Sequence, residues 1–189
     1  EHVEWPQFHN GTADGLTITD ADHSWLLDAA TQEMTPYYAG VLFGFGLTGL
    51  LSKFWKVDLY QYLTAASVKE TNAVALLLGL GISYRGTRDL GISHMLTLHI
   101  PELRQYQPAE YDLSPLVEAA AILGIAFLFE SSGHRHITET FLSLMERSAI
   151  LTLPAQPFAL GAAIGLVNLG LGDDSSVLRE NRERLCVIF

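Results

Sequence analysis

Four segments of the chain are apolar on nearly all sides and rich in glycine, alanine, leucine and isoleucine. Each ends at a turn and is followed by a more polar stretch. A helix that is hydrophobic all round is buried by its neighbours on every side. The pattern therefore predicts four inner helices, within or near residues 39–51, 72–87, 117–134 and 158–174.

The stretches between these segments place their apolar residues on one stripe. Recurrence at i, i+3, i+4 and i+7, or at i, i+4, i+7 and i+8, is typical of a helix with one buried face. We therefore predict amphipathic outer helices that cover the inner ones, and we predict that Thr87 caps the first of them, with Asp89 in its first turn. The two stripes are Ile92, Met95, Leu96 and His99, and Ile137, Phe141, Leu144 and Met145.

One glycine recurs at a similar place in each apolar segment, with 35, 45 and 41 residues between successive copies. Such spacings are those of helix-pair repeats stacked into a solenoid. Glycine inside a helix costs about 1 kcal/mol relative to alanine, so we predict that these glycines let neighbouring backbones approach closely. The predicted repeat-packing residues are Gly44, Gly46, Gly79, Gly81, Gly86, Gly124, Gly165 and Gly170.

The first apolar segment also matches the G-x-G-x-x-G loop of dinucleotide-binding proteins, at Gly44, Gly46 and Gly49. In that loop the glycines let backbone approach a pyrophosphate, and an acidic residue about twenty positions on, here Glu70, would bind the ribose. A cofactor loop occurs once, whereas the glycine pattern occurs four times. A nucleotide-binding enzyme is therefore only a remote alternative, and we expect no cofactor.

Composition narrows the function further. With 49% apolar and 17% charged residues the chain can bury a large core, and its net charge of −10 argues against a nucleic-acid surface. Cys186 is the sole cysteine, which excludes an internal disulfide and favours a reducing, intracellular compartment. The longest charge-free apolar run, 151–172, is interrupted by prolines and holds four glycines, so we expect no membrane span.

Domain organisation follows from these patterns. We predict a loop or insertion over the polar first 23 residues, within a leading region of residues 1–36 that also begins the stack. The repeats extend over 37–172, and 173–189 form a charged linker and the start of a further helix. Because the chain starts on Glu1 and ends on an apolar "CVIF", we expect it to be a fragment of a longer protein.

Candidate chemistry is sparse. His134 and His136 lie two residues apart, so on a helix they would point to different faces, and a zinc or iron site needs three or four converging ligands. We interpret them as turn or capping residues. The sequence has no G-x-S-x-G elbow, and the paired carboxylates Asp173 and Asp174 follow a helix in a solvated turn, so we expect no catalytic residue and no metal.

The segments "AGVLFGFGLTG", "LLLGLGISYRGTRDLGISHMLTLHIPEL" and "AAAILGIAFLFESSGHRHITETFL" resemble the proteasome/cyclosome (PC) repeats found in the large scaffold subunit, subunit 1, of the anaphase-promoting complex/cyclosome. The resemblance covers about residues 37–172, and its R-G-T, H-I-P and H-R-H signatures are specific to that subunit. The third repeat departs from the pattern at Ser131, where Gly86 stands in the second, so we expect a looser turn there.

The resemblance implies an all-α solenoid, an arc or part of an α-α toroid, with the small apolar helices inside. It implies a non-catalytic scaffold in an E3 ubiquitin ligase of the cell cycle, in nucleus and cytoplasm. Implied partners are the Doc-domain and cullin-like subunits, and further the TPR subunits and coactivator; a scaffold of the proteasome regulatory particle, docking ubiquitin-like domains, is the alternative. Tyr106 and Tyr111 are candidates for partner contacts, because tyrosine is frequent at interface hot spots, or they pack over helix ends.

Overall fold

The computed structural model describes residues 4–20, 35–64, 69–103, 114–148, 155–172 and 175–188. These residues form ten α-helices and two short 3₁₀ segments, and no strand occurs among them, which confirms the all-α prediction. The α-helices are α1 (Glu4–Thr17), α2 (Pro36–Leu47), α3 (Lys56–Thr64), α4 (Glu70–Ser83), α5 (Leu90–Thr97), α6 (Pro115–Leu128), α7 (Arg135–Ser148), α8 (Ala155–Val167), α9 (Ser176–Glu180) and α10 (Arg182–Ile188), and the 3₁₀ segments are Leu50–Lys53 and Pro101–Leu103.

Two layers of helices form the fold. The inner helices α1, α2, α4, α6 and α8 pack in chain order, each against the next. The outer helices α5 and α7 each pack against the inner helix that follows them in the chain. None of the helices in the described ranges is long and apolar enough to cross a membrane.

The N-terminal segment differs from the sequence prediction. A loop over residues 1–23 is wrong, because Glu4–Thr17 form a regular helix. Its two glycines, Gly11 and Gly15, are typical of turns in a polar sequence, but here they are the buried residues of the helix. A β-carbon on Gly11 would lie 2.0 Å from the carbonyl oxygen of Tyr37, so tertiary packing against α2 overrides the weak local preference for a turn.

The core lies between the two layers. Leu76, Leu80 and Ile122 of the inner helices are fully buried, as the pattern of these segments predicts. On the outer side Ile92 and Phe141 are also buried, which confirms the two amphipathic stripes. Burial of each such side chain contributes about 1.5 to 3 kcal/mol, so the outer helices are held mainly by their apolar stripes.

The start of α5 is set by Asp89 and not by Thr87, so the predicted cap is wrong by two residues. The Asp89 carboxylate accepts a hydrogen bond from the backbone N–H of Ile92 at 3.0 Å. The Thr87 hydroxyl instead donates to the carbonyl oxygen of Tyr84 at 2.7 Å, in the turn that precedes the helix. Threonine and aspartate are both good N-cap residues, and the backbone conformation of the turn determines which of the two side chains reaches the first turn of α5.

Candidate functional site

The backbones of α2 and α4 are in direct contact at Gly46 and Gly79. A β-carbon on Gly46 would lie 2.2 Å from the Cα atom of Gly79, a distance that atoms cannot adopt. The hydroxyl of Ser83 donates to the carbonyl oxygen of Gly46 at 3.0 Å and adds a polar contact between the same helices. Only residues without a side chain permit this approach.

The same arrangement recurs in the neighbouring pairs of inner helices. Between α4 and α6, a β-carbon on Gly81 would lie 2.4 Å from the Cα atom of Gly124. Between α1 and α2, a β-carbon on Gly44 would lie 2.9 Å from the Cα atom of Gly15, and one on Gly40 would lie 2.0 Å from the carbonyl oxygen of Phe8. Five of the predicted packing glycines, Gly44, Gly46, Gly79, Gly81 and Gly124, therefore lie at helix contacts.

These contacts decide against the dinucleotide alternative at Gly44, Gly46 and Gly49. A pyrophosphate loop requires a strand, a turn and then a helix N-terminus. Gly44 and Gly46 instead lie inside α2 and are buried against α1 and α4, and Gly49 follows the C-terminus of α2 with a φ of +78°. Gly44 and Gly46 therefore leave no backbone exposed for a phosphate, and half-buried Gly49 does not precede the N-terminus of an α-helix.

The turn after α4 connects two successive repeats. Its Gly86 has a φ of +68°, in the left-handed region that favours glycine, and Arg88 has a φ of +57°. The backbone N–H groups of these two residues donate to the carbonyl oxygens of Phe127 and Leu128 at 3.0 and 3.1 Å. They thereby satisfy carbonyls at the C-terminus of α6 that have no partner within their own helix.

The turn after α6 repeats this geometry one helix pair later. Ser131 and Gly133 have φ values of +53° and +57°, and their N–H groups donate to Leu166 and Val167 at the C-terminus of α8, at 3.0 and 2.9 Å. The prediction of a looser turn at Ser131 is therefore wrong, because this turn donates two backbone hydrogen bonds to the next inner helix, as the turn at Gly86 does. Gly86 is thus a turn residue, with no atom within 4 Å of a β-carbon placed on it.

The last inner helix has an open side. Gly170 has a φ of +79° and stands where Gly86 and Ser131 stand in the earlier turns. Gly79 and Gly124 lie seven residues before Gly86 and Ser131, and the residue seven positions before Gly170 is Ala163. Ala163, and not Gly165, is therefore equivalent to Gly79 and Gly124. Gly165 corresponds to Gly81, which contacts the following inner helix, and no atom lies within 4 Å of a β-carbon on Gly165 or on Gly170. These two residues make no packing contact within the described ranges.

Polar side chains connect the repeats along the outside. The guanidinium of Arg85, in the turn after α4, donates to the Glu130 carboxylate in the turn after α6. Arg184 of α10 donates to both carboxylate oxygens of Glu146 in α7, at 2.7 and 2.9 Å, and this bond lowers the pKa of Glu146 below its usual range. An exposed ion pair such as that of Arg184 with Glu146 contributes little to stability, whereas the Glu130 side chain of the other pair is only 6% exposed.

A buried polar cluster, which the sequence analysis missed, holds the turn after α8. The amide of Asn168 donates to Thr138 Oγ1 at 3.1 Å, and its Oδ1 accepts from the Ser175 hydroxyl at 2.9 Å. All three residues are buried. An asparagine directly after an apolar helix is the only sequence signal, and it is equally typical of an exposed C-cap.

A second buried contact joins α3 to α4. The Asn72 amide donates to the hydroxyl of Tyr62 at 3.1 Å, and burial raises the pKa of that hydroxyl. The Oδ1 atom of Asn72 is buried without a hydrogen-bond partner in the described part of the chain. The hydrogen bond between Asn72 and Tyr62 positions α3 against α4. Neither side chain carries a charge suited to catalysis.

The remaining candidate residues are not brought together. His134 caps α7, since its Nδ1 accepts from the backbone N–H of Ile137 at 3.4 Å, whereas His136 is exposed in the first turn of that helix. No group of three or more possible metal ligands converges among the residues that the structure describes. Cys186 is exposed. Four further candidates, Tyr106, Tyr111, Asp173 and Asp174, lie outside the described residues.

Two family models match the chain. The one described as the APC1 fourth domain matches residues 1–85, and the one described as the APC1 fifth domain matches residues 90–188. The interval between them falls in the turn from α4 to α5. The helix stack nevertheless continues across it, because α4 packs against α6 through Gly81 and Gly124.

Similar curated proteins come from distant eukaryotes. Anaphase-promoting complex subunit 1 of Schizosaccharomyces pombe is 37% identical over 180 residues, which cover 92% of this chain and 12% of that protein. The protein named negative regulator of mitosis of Emericella nidulans is 35% identical and aligns with 100% of this chain and 10% of its own length. Anaphase-promoting complex subunit 1 of Homo sapiens is 33% identical, and the alignment covers 91% of this chain and 9% of that protein. The chain thus spans about a tenth of the length of these relatives.

Proposed function

Because the chain belongs to the family of anaphase-promoting complex subunit 1, in the region of its fourth and fifth domains, we propose that it is a scaffold module of this ubiquitin ligase. Its role is positional: a rigid stack holds outer helices and turns where other subunits of the complex bind. The function it serves is cell-cycle control by protein degradation.

The observation that carries this proposal is the unbroken stack of inner helices. Successive inner helices touch through backbone at Gly46 with Gly79 and at Gly81 with Gly124. Two turns then donate paired backbone hydrogen bonds to the next inner helix. A solenoid joined in this way transmits position from one repeat to the next and offers a long outer surface for partners.

The finer parts of the proposal concern partners and place. We propose that the chain is not itself catalytic and that it binds other subunits of the complex, the Doc-domain and cullin-like subunits first and the TPR subunits and coactivator second. We place its action in nucleus and cytoplasm. Support comes from the family, in which the similar proteins are named as subunits of the anaphase-promoting complex.

The test is affinity purification of the tagged full-length protein. We expect the other subunits of the anaphase-promoting complex to co-purify, and the Gly81→Leu variant to recover fewer of them because the stack is disrupted. Gly91→Leu is the matched control, since the three atoms nearest to a β-carbon on Gly91 belong to the side chains of Asp89 and Lys56, at 3.3 Å or more, and not to a backbone. Recovery of proteasome regulatory-particle subunits in place of ligase subunits would contradict the proposal.

A further inference from the structure

Three large apolar side chains are exposed where α3 and the outer helix α5 begin. Trp55 precedes α3 and is 66% exposed, and Val57 in the first turn of α3 is 62% exposed. Leu90, the first residue of α5, is 82% exposed. Single exposed apolar side chains are ordinary on protein surfaces, so these three are informative only if they adjoin.

The ion pair between Lys56 and Asp89 brings them together. The ammonium of Lys56 donates to Oδ2 of Asp89 at 2.6 Å. Lys56 stands between Trp55 and Val57 in the chain, and Asp89 directly precedes Leu90. The three exposed apolar residues are therefore chain neighbours of one ion pair, and together we call them the Trp55 surface (Trp55, Val57 and Leu90).

Two cations flank the Trp55 surface. Lys53 precedes Trp55 by two residues, Arg88 precedes Leu90 by two residues, and both are exposed. Neither has an ion-pair partner among the residues that the structure describes. The chain as a whole has a net charge of −10. Exposed apolar groups beside two cations that have no ion-pair partner in the described ranges therefore differ from the acidic character of the rest of the chain.

We propose that the Trp55 surface binds a short acidic segment of a partner protein. One aliphatic or aromatic side chain of that segment packs against Trp55 and Leu90, and its carboxylates lie near Lys53 and Arg88. Charge complementarity favours this occupant and steers its approach. A nucleic acid is disfavoured, because its phosphates require many clustered cations, whereas the chain is strongly acidic. The inference goes beyond the scaffold function and does not depend on it.

The test measures binding by the full-length protein of a fluorescein-labelled pool of short peptides built from Asp, Glu, Leu and Phe, followed by anisotropy. We expect Trp55→Ala to raise the Kd about tenfold or more, the effect of losing a central aromatic anchor. We expect the double variant Lys53→Glu, Arg88→Glu to raise the Kd by at least about tenfold and to remove most of its dependence on salt.

Matched controls lie elsewhere on the chain. Trp5 is 66% exposed, as Trp55 is, and Trp5→Ala is expected to change the Kd by less than about twofold. The same holds for the double variant Lys69→Glu, Arg182→Glu, which reverses two exposed cations at the starts of α4 and α10. Thermal unfolding, followed in parallel, is expected to be unchanged in every variant, because each altered residue is exposed.

The proposal would be overturned if the protein bound no peptide, or if the Trp55 surface variants bound peptide as the unaltered protein does. It would also be overturned if the control variants raised the Kd for peptide equally. A fourth contrary result is that the protein binds a single-stranded RNA through Lys53 and Arg88 and does not bind peptide. Co-purification of ligase subunits with the Trp55→Ala protein separates this inference from the proposed function. A variant that loses the peptide while still assembling supports the Trp55 surface and leaves the scaffold function standing.

Discussion

Gly46 and Gly79 meet through backbone alone, but the two sides of the contact are not equivalent. A β-carbon on Gly46 would lie 2.2 Å from the Cα atom of Gly79, whereas one on Gly79 would meet a methyl group of Leu51 at 2.9 Å and the Cα atom of Gly46 only at 3.3 Å. A methyl group of a side chain can move, and a helix backbone cannot do so alone. The first glycine of the pair is therefore the one that tolerates no side chain.

This asymmetry predicts the effect of single alanine substitutions. We expect Gly46→Ala and Gly81→Ala to lower the free energy of unfolding by about 1 to 3 kcal/mol, because the added methyl group forces the inner helices apart. That cost exceeds the gain of up to about 1 kcal/mol in helix propensity. Urea denaturation of the 189-residue chain, followed by circular dichroism, measures the difference.

Gly165→Ala is the matched control, because Gly165 has the register of Gly81 but no atom within 4 Å of its added β-carbon. We expect this variant to be unchanged or more stable by up to about 1 kcal/mol. Equal effects at Gly81 and Gly165 would mean that close backbone approach does not explain the glycines of the inner helices.

The paired turns predict a reciprocal exchange of glycine and serine. Ser131 has a φ of +53°, a conformation that costs a residue with a side chain about 1 to 2 kcal/mol. We therefore expect Ser131→Gly to stabilise the protein by about 1 kcal/mol, and Gly86→Ser to destabilise it by a similar amount. Thermal unfolding of both variants checks the signs, and a loss of stability in Ser131→Gly would show that its side chain has a stabilising role.

Acid is predicted to weaken the ion pair between Lys56 and Asp89. Its hydrogen bond lowers the pKa of the Asp89 carboxyl below the unfolded value of about 3.9. The contribution of the pair is therefore present above about pH 4 and is lost as the pH falls through the folded pKa. We expect Asp89→Asn to lower the free energy of unfolding by about 0.5 to 1 kcal/mol at neutral pH, and by less at about pH 3.

Asparagine is also a good N-cap, so Asp89→Asn removes the charge and keeps the cap of α5. Asp89→Ala removes both the charge and the cap, and we expect it to lower the free energy of unfolding by about 1 kcal/mol more than Asp89→Asn does at neutral pH. Denaturant unfolding at the two pH values tests this. A difference between wild type and Asp89→Asn that does not change with pH would contradict the assignment to charge.

The buried cluster around Asn168 predicts a larger loss. In Asn168→Leu the Ser175 hydroxyl loses its acceptor, and Thr138 Oγ1 loses a donor, in a place that water does not reach. A buried polar group left without a partner costs about 1 to 3 kcal/mol. We expect that loss in denaturant unfolding. Ser93→Leu, at a helical position outside any such cluster, serves as the comparison, and an equal effect there would contradict the role of the cluster.

Much of the fold could be predicted from local pattern. The all-round apolar character of 73–83 and the stripe at Phe141, Leu144 and Met145 indicated inner and outer helices, and the structure confirms both. The reason is that burial is a property of each side chain, and its period along the chain is that of the helix. The sequence also indicated, through the four recurring glycines, that the inner helices approach closely.

Only the tertiary structure decided what each glycine does. Gly11 and Gly15 lie inside α1, although their polar surroundings indicated a loop. Gly86 was predicted to pack between repeats, but no described atom lies within 4 Å of a β-carbon placed on it. A glycine has no side chain to show a preference for water or core, so its sequence context does not distinguish a turn from a helix contact. The alignment of the last repeat with the earlier ones was likewise decided by the positive φ of Gly170 and not by the position of Gly165. The sequence does not show which residues have positive φ, because the turns are held by hydrogen bonds to residues some 40 positions away.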